Sequence, residues 1–284
     1  TAFLFPGQGS QAVGMGLALA ASHQAAKYVF DEVNDALDEN LFDVMAHGPD
    51  DLIRMTRNAQ PALFATSMAA VRVLEAEFGE KLSNQNAVCA GHSLGEYSAL
   101  ATSGSLDFKN AIKLLNQRGK AMQTAVPKGE GGMVAVLGIE IKEINKILEE
   151  NKNNYNCYIA NDNSNGQIVL SGLNSDIDKF IETLKVKKIK NIKLPVSAPF
   201  HCKLMDKATS IMSDKINNTN FKKPINLIIS NVTASETQEI EEIKDLLIKQ
   251  IEMPVRWRES VIYMIKNGVT NFIEIGPGKV LSGL

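Results

Sequence analysis

The stretch that decides the fold is Ala87-Val88-Cys89-Ala90-Gly91-His92-Ser93-Leu94-Gly95-Glu96-Tyr97-Ser98-Ala99-Leu100-Ala101. It joins a short apolar run, a G-x-S-x-G and a small-residue helical segment, the strand-turn-helix context in which a serine is carried on a tight turn. Glycines on both sides of that turn let the backbone bend sharply and lie close to the neighbouring helix, so the Ser93 hydroxyl is exposed. The new helix points free N–H groups at the same spot, where they can stabilise an oxyanion. An inert Gly-Ser turn has the same local sequence, so the surroundings have to decide.

Outward from the turn, short apolar runs at Ala2 to Phe5, Leu227 to Ser230 and Asn271 to Ile275 alternate with helical spacing. Val29, Phe30, Val33 and Leu37 mark one amphipathic helix; Leu63, Ser67, Ala70, Val71, Leu74 and Phe78 mark another. The alternation predicts an α/β fold, an α/β-hydrolase-like core whose parallel sheet carries the nucleophile elbow. From about residue 125 the rhythm becomes strand (Met133 to Leu137), helix (Ile141 to Glu150), strand (Cys157 to Asn161), strand (Gln167 to Ser171), helix (Ser175 to Lys185), strand (Ile189 to Pro195). That is the βαββαβ order of a ferredoxin-like unit inserted into the larger domain. The expected organisation is a large α/β subdomain from 1-124 and 196-284 with the small subdomain at 125-195, and a site in the cleft between them. Seven asparagines at 151 to 165 mark exposed turns or merely compositional drift.

Composition narrows the class. Thirty Lys and Arg against 32 Asp and Glu give a net charge of −2, which argues against a nucleic-acid surface. No apolar run approaches the roughly 18 residues of a membrane span, and Thr1 to Phe5 leads into a Pro-Gly turn without a signal-peptide pattern, so a cytoplasmic protein is expected. Cys89, Cys157 and Cys202 are widely spaced and only four histidines are present, so neither a metal site nor a disulfide framework is expected.

A serine nucleophile needs a base. His23 and His47 lie in polar segments and read as surface residues, and His92, next to the elbow serine, points elsewhere in such turns. His201 follows Ala198-Pro199-Phe200 at the exit from the insert, at the mouth of the expected cleft. Arg118 falls within the apolar stripe Phe108, Ala111, Ile112, Leu115 and Met122 of one helix. A guanidinium there is an internal salt bridge, a side chain reaching for water, or a planar fork for a substrate carboxylate. Gly7-Gln8-Gly9-Ser10-Gln11-Ala12 has the glycine spacing of a dinucleotide fingerprint, but the residues through Asp31 read as one amphipathic helix with no second strand, so that reading is rejected. Gly276-Pro277-Gly278-Lys279 lacks P-loop spacing and reads as a turn into a final helix.

Together, Phe5-Pro6-Gly7-Gln8-Gly9-Ser10-Gln11, Gln60-Pro61-Ala62, Gly91-His92-Ser93-Leu94-Gly95-Glu96, Gln117-Arg118-Gly119, Ala198-Pro199-Phe200-His201 and Glu274-Ile275-Gly276-Pro277-Gly278 resemble the malonyl-CoA:acyl-carrier-protein transacylases of bacterial-type fatty acid synthesis. The resemblance spans essentially the whole chain, with the family's C-terminus slightly beyond Leu284. It implies that Ser93 is the nucleophile and His201 its base, in a dyad where the backbone carbonyl at Gln250 replaces a carboxylate behind the histidine. A helix from Ile240 to Ile251 has to stop before Pro254, which leaves such carbonyls free.

It further implies an oxyanion hole from the amide of Gln8 and the N–H of Leu94, a malonyl carboxylate held by Arg118, and Phe200 disfavouring a methyl-branched acyl group. Malonyl-CoA and an acyl carrier protein are then substrates, no metal or redox cofactor is expected, and the chain is expected to be a monomer. The family's carrier protein is acidic, and Lys185, Lys187, Lys188, Lys190 and Lys193 form either its docking patch or an ordinary solvated face. Two rivals share these features: a serine hydrolase, which lacks a use for Arg118, and a silent carrier-binding subunit, which has no chemical need for Ser93, His201, Arg118 and Gln8 together.

Overall fold

The computed structural model describes residues 1–84, 86–196 and 198–284. Its strands are β1 (Ala2–Phe5), β2 (Val88–Gly91), β3 (Gly131–Leu137), β4 (Cys157–Ser164), β5 (Gln167–Leu173), β6 (Lys190–Lys193), β7 (Leu227–Ile229), β8 (Glu236–Thr237) and β9 (Phe272–Glu274). They form two sheets, β8-β7-β2-β1-β9 and β4-β5-β3-β6. In the first, β7, β2, β1 and β9 are parallel, drawn from both flanks of the chain, and the two-residue β8 is an antiparallel edge.

The core strands are nearly all apolar, as a sheet covered on both faces requires. Phe3, Phe5 and Cys89 face one cluster with the helices Gln24–Leu37, Thr56–Phe78 and Phe108–Thr124. Ala2, Leu4 and Ala90 face the other way, onto Trp257 and Met264 of the helix Trp257–Lys266. This alternation places the carboxyl ends of β1 and β2 side by side, with Phe5 opposite Gly91.

The second sheet is antiparallel throughout and carries the helices Ile141–Glu150 and Asn174–Val186, in the expected βαββαβ order. A parallel bridge ties it to the first unit. Val255 pairs in parallel with Asn161, and its N–H and carbonyl bond Ala160 O and Asp162 N at 2.8 and 2.9 Å. Beside the bridge, the fork of Arg258 grips the buried Asp162 carboxylate, the shortest contact being 2.7 Å.

Four sequence expectations are corrected. The residues after Phe5 are not one helix through Asp31: a looped segment is followed by separate helices, Leu17–Ser22 and Gln24–Leu37. Gly14 and Gly16 hold left-handed φ of 91° and 86°, and His23 is extended, so helical continuity is broken on either side of the first helix. The strand expected from Ile189 to Pro195 covers only Lys190–Lys193, because Pro195 has no N–H to donate and residues 194–196 turn to line the cleft. β4 runs on past its expected end at Asn161 to Ser164, so Asn163 lies in the strand, and Asn161 is buried. The segment after Gly276-Pro277-Gly278 forms a turn and a single 3-10 turn, Leu281–Gly283.

Candidate active site

Between the sheets lies a cleft of about 810 Å³ including its mouth, and Ser93 and His201 open onto it with Arg118. The elbow is built as its glycines require. A Cβ on Gly91 would lie 1.9 Å from the Gly95 carbonyl carbon, and one on Gly95 would lie 2.3 Å from Phe5 O, so the helix Gly95–Thr102 starts against β1 and β2 with no room for side chains. The turn takes Ser93 to φ 52°, a left-handed conformation uncommon for serine. Asn231 fastens it from the loop after β7: its Oδ1 accepts from Ser93 N at 2.7 Å and its Nδ2 donates to Gly91 O at 2.7 Å.

His201 also sits at positive φ, 57°, and its Nε2 lies 2.8 Å from Ser93 Oγ. Its Nδ1 lies 2.7 Å from the main-chain carbonyl of Gln250. A carbonyl only accepts, so Nδ1 carries the proton and Nε2 is the acceptor for the serine hydroxyl. The helix Ile240–Lys249 ends at this point and leaves the Gln250 carbonyl without an intrahelical partner. Burial, and next the Arg118 charge, bring the imidazole pKa down to about 3, against a smaller upward pull from the Gln250 carbonyl. The resting histidine is therefore neutral and competent as a base.

Arg118 is fully buried. Its Nη1 donates to Gln60 Oε1 at 2.9 Å and its Nη2 to Gln250 Oε1 at 2.8 Å and to Ser93 Oγ at 3.2 Å. Burial lowers its pKa, while Tyr97 and Glu96 pull upward. Nε is buried with no partner among the described residues, and no carboxylate hydrogen-bonds any of its nitrogens there. An internal salt bridge is thus not what holds this guanidinium. A cation so placed, one hydrogen bond from the nucleophile, suits a substrate carboxylate.

The main-chain N–H groups of Gln8 and Leu94 have no hydrogen-bond partner among the described residues, and both residues line the cleft beside Ser93. Gln8 Nε2 makes a long bond of 3.4 Å to Thr56 Oγ1. Phe200 lines the same cleft, its carbonyl accepting from Ser171 Oγ on β5. The remaining histidines are engaged elsewhere: His23 pairs with Glu77, His47 with Asp43, and His92 Nε2 lies 2.8 Å from Asn163 Oδ1. Of the five lysines, Lys185 pairs with Glu182, Lys187 with Glu150 and Lys193 with Asp178, while Lys188 and Lys190 have no ion pair among the described residues.

Sequence reasoning assigned no role to Gln60, Glu96, Asn231, Asn161 or the side chain of Gln250. Gln60 and Glu96 stood inside quoted motifs, which was the available signal; Asn231 had none.

A serine on an elbow, a neutral histidine backed by a carbonyl, free N–H donors and a buried cation are an arrangement suited to acyl transfer. Residues 2–282 match the acyl transferase domain family. The chain is 44 % identical over 285 residues to the malonyl CoA-acyl carrier protein transacylase of Bacillus subtilis (strain 168), covering all of this chain and 88 % of that one. It superposes on an acyl-carrier-protein-S-malonyltransferase from Bartonella henselae with a TM-score of 0.95 at 44 % identity, covering 99 % of this chain and 90 % of that one. A malonyl-transacylase solved in complex with its type II PKS acyl-carrier protein matches with a TM-score of 0.94 at 38 % identity, over 100 % and 91 % of the two chains. The chain belongs to the malonyl-CoA:acyl-carrier-protein transacylase family and is an acyltransferase.

Proposed function

We propose that this enzyme moves a malonyl group from malonyl-CoA to the phosphopantetheine thiol of an acyl carrier protein through a malonyl ester on Ser93. The observation that carries the reading is Arg118, a carboxylate-free buried fork 3.2 Å from Ser93 Oγ. In the first half, the Ser93 proton passes to His201 Nε2 as Oγ attacks the thioester carbon. The oxyanion is held by the Leu94 N–H and the Gln8 amide, and CoA leaves as its thiol with the proton from His201. In the second half the carrier thiol gives its proton to His201 and attacks the ester, and Ser93 leaves with that proton. Arg118 grips the malonyl carboxylate throughout, which selects a dicarboxylic acyl group and orients it. Phe200 narrows the space for a branch at the acyl α-carbon. The scheme uses only these side chains and backbone donors, with no metal or redox step.

Intact-protein mass spectrometry after brief mixing with malonyl-CoA tests it. A malonyl adduct on Ser93, cleared by holo acyl carrier protein and absent in Ser93→Ala, is the expected result. Free malonate without an adduct would mean a hydrolase. Neither adduct nor turnover would mean a silent binding subunit. Arg118→Ala separates selection from chemistry: malonyl acylation should fall by at least a hundredfold, roughly the loss of one charge-assisted, buried contact of about 3 kcal/mol, and acetyl acylation by much less. Equal losses would remove Arg118 from carboxylate recognition.

A further inference from the structure

The side chain of Gln250 does work separate from its main-chain carbonyl. Its Oε1 accepts from Arg118 Nη2 at 2.8 Å, and its Nε2 donates to Ser93 O at 3.0 Å and, in a very close contact, to a carboxylate oxygen of Glu96. The other Glu96 oxygen accepts from the Asn231 N–H at 3.3 Å. All five residues are buried.

Hydrogen-bond polarity fixes the direction of this chain. A guanidinium has donors only, so the amide atom facing Arg118 has to be oxygen; the amide then presents Nε2 to Glu96, and Glu96 has to accept. Both Glu96 oxygens receive donors, the pattern of an ionised carboxylate. Burial pushes its pKa up to about 8, a net rise against which the Gln250 amide, the Asn231 N–H and the Arg118 charge favour the ionised form. A buried cation needs a counter-charge, yet a carboxylate placed directly on Arg118 would fill the fork that the substrate has to occupy. One intervening amide keeps the negative charge close while taking a single position on Nη2, and Nε has no partner among the described residues.

We propose that Glu96, acting through the Gln250 amide, is a positioning residue for Arg118 and so sets the preference for carboxylate-bearing over neutral acyl groups. The inference rests on the malonyl-transfer reading above. Without the carboxylate, Gln250 Nε2 loses its nearest acceptor and keeps Ser93 O, so the amide that meets Arg118 is held less firmly and carries no counter-charge behind it.

The test compares Ser93 acylation by malonyl-CoA and by acetyl-CoA in the wild type, Glu96→Gln, Gln250→Met and the double variant. Gln250→Met keeps the main-chain carbonyl behind His201. Each single substitution should lower the malonyl-to-acetyl ratio of kcat/KM at least tenfold, and the double variant should lower it no further than the larger single effect, because both cut one chain. Equal losses on the two donors, or losses that multiply in the double variant, overturn the inference. Should Glu96→Gln fail to fold, an unchanged ratio in Gln250→Met overturns it and a tenfold fall supports it. A wild type that takes no malonyl label overturns the transfer reading and this inference together; a labelled wild type with variants whose ratio stands still overturns this inference alone.

Discussion

Ser93 and His201 both hold left-handed backbone conformations, φ 52° and 57°, that cost of order 1–3 kcal/mol each for residues with a Cβ. The fold bears that cost because it aims Oγ and Nε2 at one another across the cleft. The electrostatic consequence is a pH profile. A histidine held near pKa 3 by burial and then by Arg118 is already the free base from pH 5 to 8, so kcat/KM for Ser93 acylation should be flat there. An inflection near the ordinary value of about 6.5 would refute this. In Arg118→Ala the acid limb should move to higher pH, since the second cause of the shift is gone. Stability has a related sign: with the folded pKa depressed, the unfolded state binds the extra proton between about 6.5 and 3. His201's contribution is therefore complete above that window and is lost as pH falls through it, by up to about 1.4 kcal/mol per pH unit. At this scale the sequence revealed the serine, the histidine and the arginine because each breaks a local pattern: a serine between glycines, a histidine after Pro199-Phe200, a cation on an apolar stripe. Glu96 breaks none. An acid in the first turn of a helix complements the dipole and reads as ordinary, and only the fold shows that it is buried beneath Gln250.

Elements were legible where periodicity was long and failed where a few backbone angles decide. The βαββαβ order of the insert follows from alternating apolar patterns that its sheet and helices reproduce. The break between Leu17–Ser22 and Gln24–Leu37 turns on one extended residue, His23, in a window whose apolar spacing runs on regardless. Nor does local pattern reveal the Asn161–Val255 bridge, which joins residues remote in sequence. Beside it, Asp162 is 3 % exposed on its side chain and Arg258 27 %. Removing the arginine leaves a buried carboxylate without its fork, while solvent reaching the arginine's side softens the loss. Arg258→Met should therefore destabilise the protein by roughly 2 kcal/mol, less than the roughly 3–5 kcal/mol that breaking a fully buried pair costs. Urea denaturation reads the effect directly, and an unchanged midpoint would mean that the ion pair adds nothing to the stability that the β5 ladder and the Asn161–Val255 bridge already give β4. Asn161 lines the cleft from the strand that Arg258 anchors, so malonyl acylation should weaken in the same variant, through KM.

For the whole molecule, a net charge of −2 gives an acidic carrier protein no general attraction, so any steering has to be local. Three of the five lysines at 185–193 are tied to carboxylates of the same subdomain, which leaves Lys188 and Lys190 to project field. From Lys190 the chain runs on through β6 to Leu194 at the cleft, about 13 Å at the rise of an extended strand. A carrier docked on that edge would have its thiol arm within reach of Ser93. Raising the ionic strength from about 0.02 M to about 0.2 M shortens the Debye length from roughly 20 Å to roughly 7 Å. If these lysines steer the carrier, its KM should rise several-fold over that range in the wild type. Lys188→Glu combined with Lys190→Glu should raise KM for the carrier about tenfold at low salt, the order expected for reversing two rim charges, and should flatten or invert the salt slope. The KM for malonyl-CoA, measured in the same variant, should move less. A salt slope unchanged from the wild type would mean that the lysines are a solvated face, and the carrier would then have to dock on another edge of the cleft.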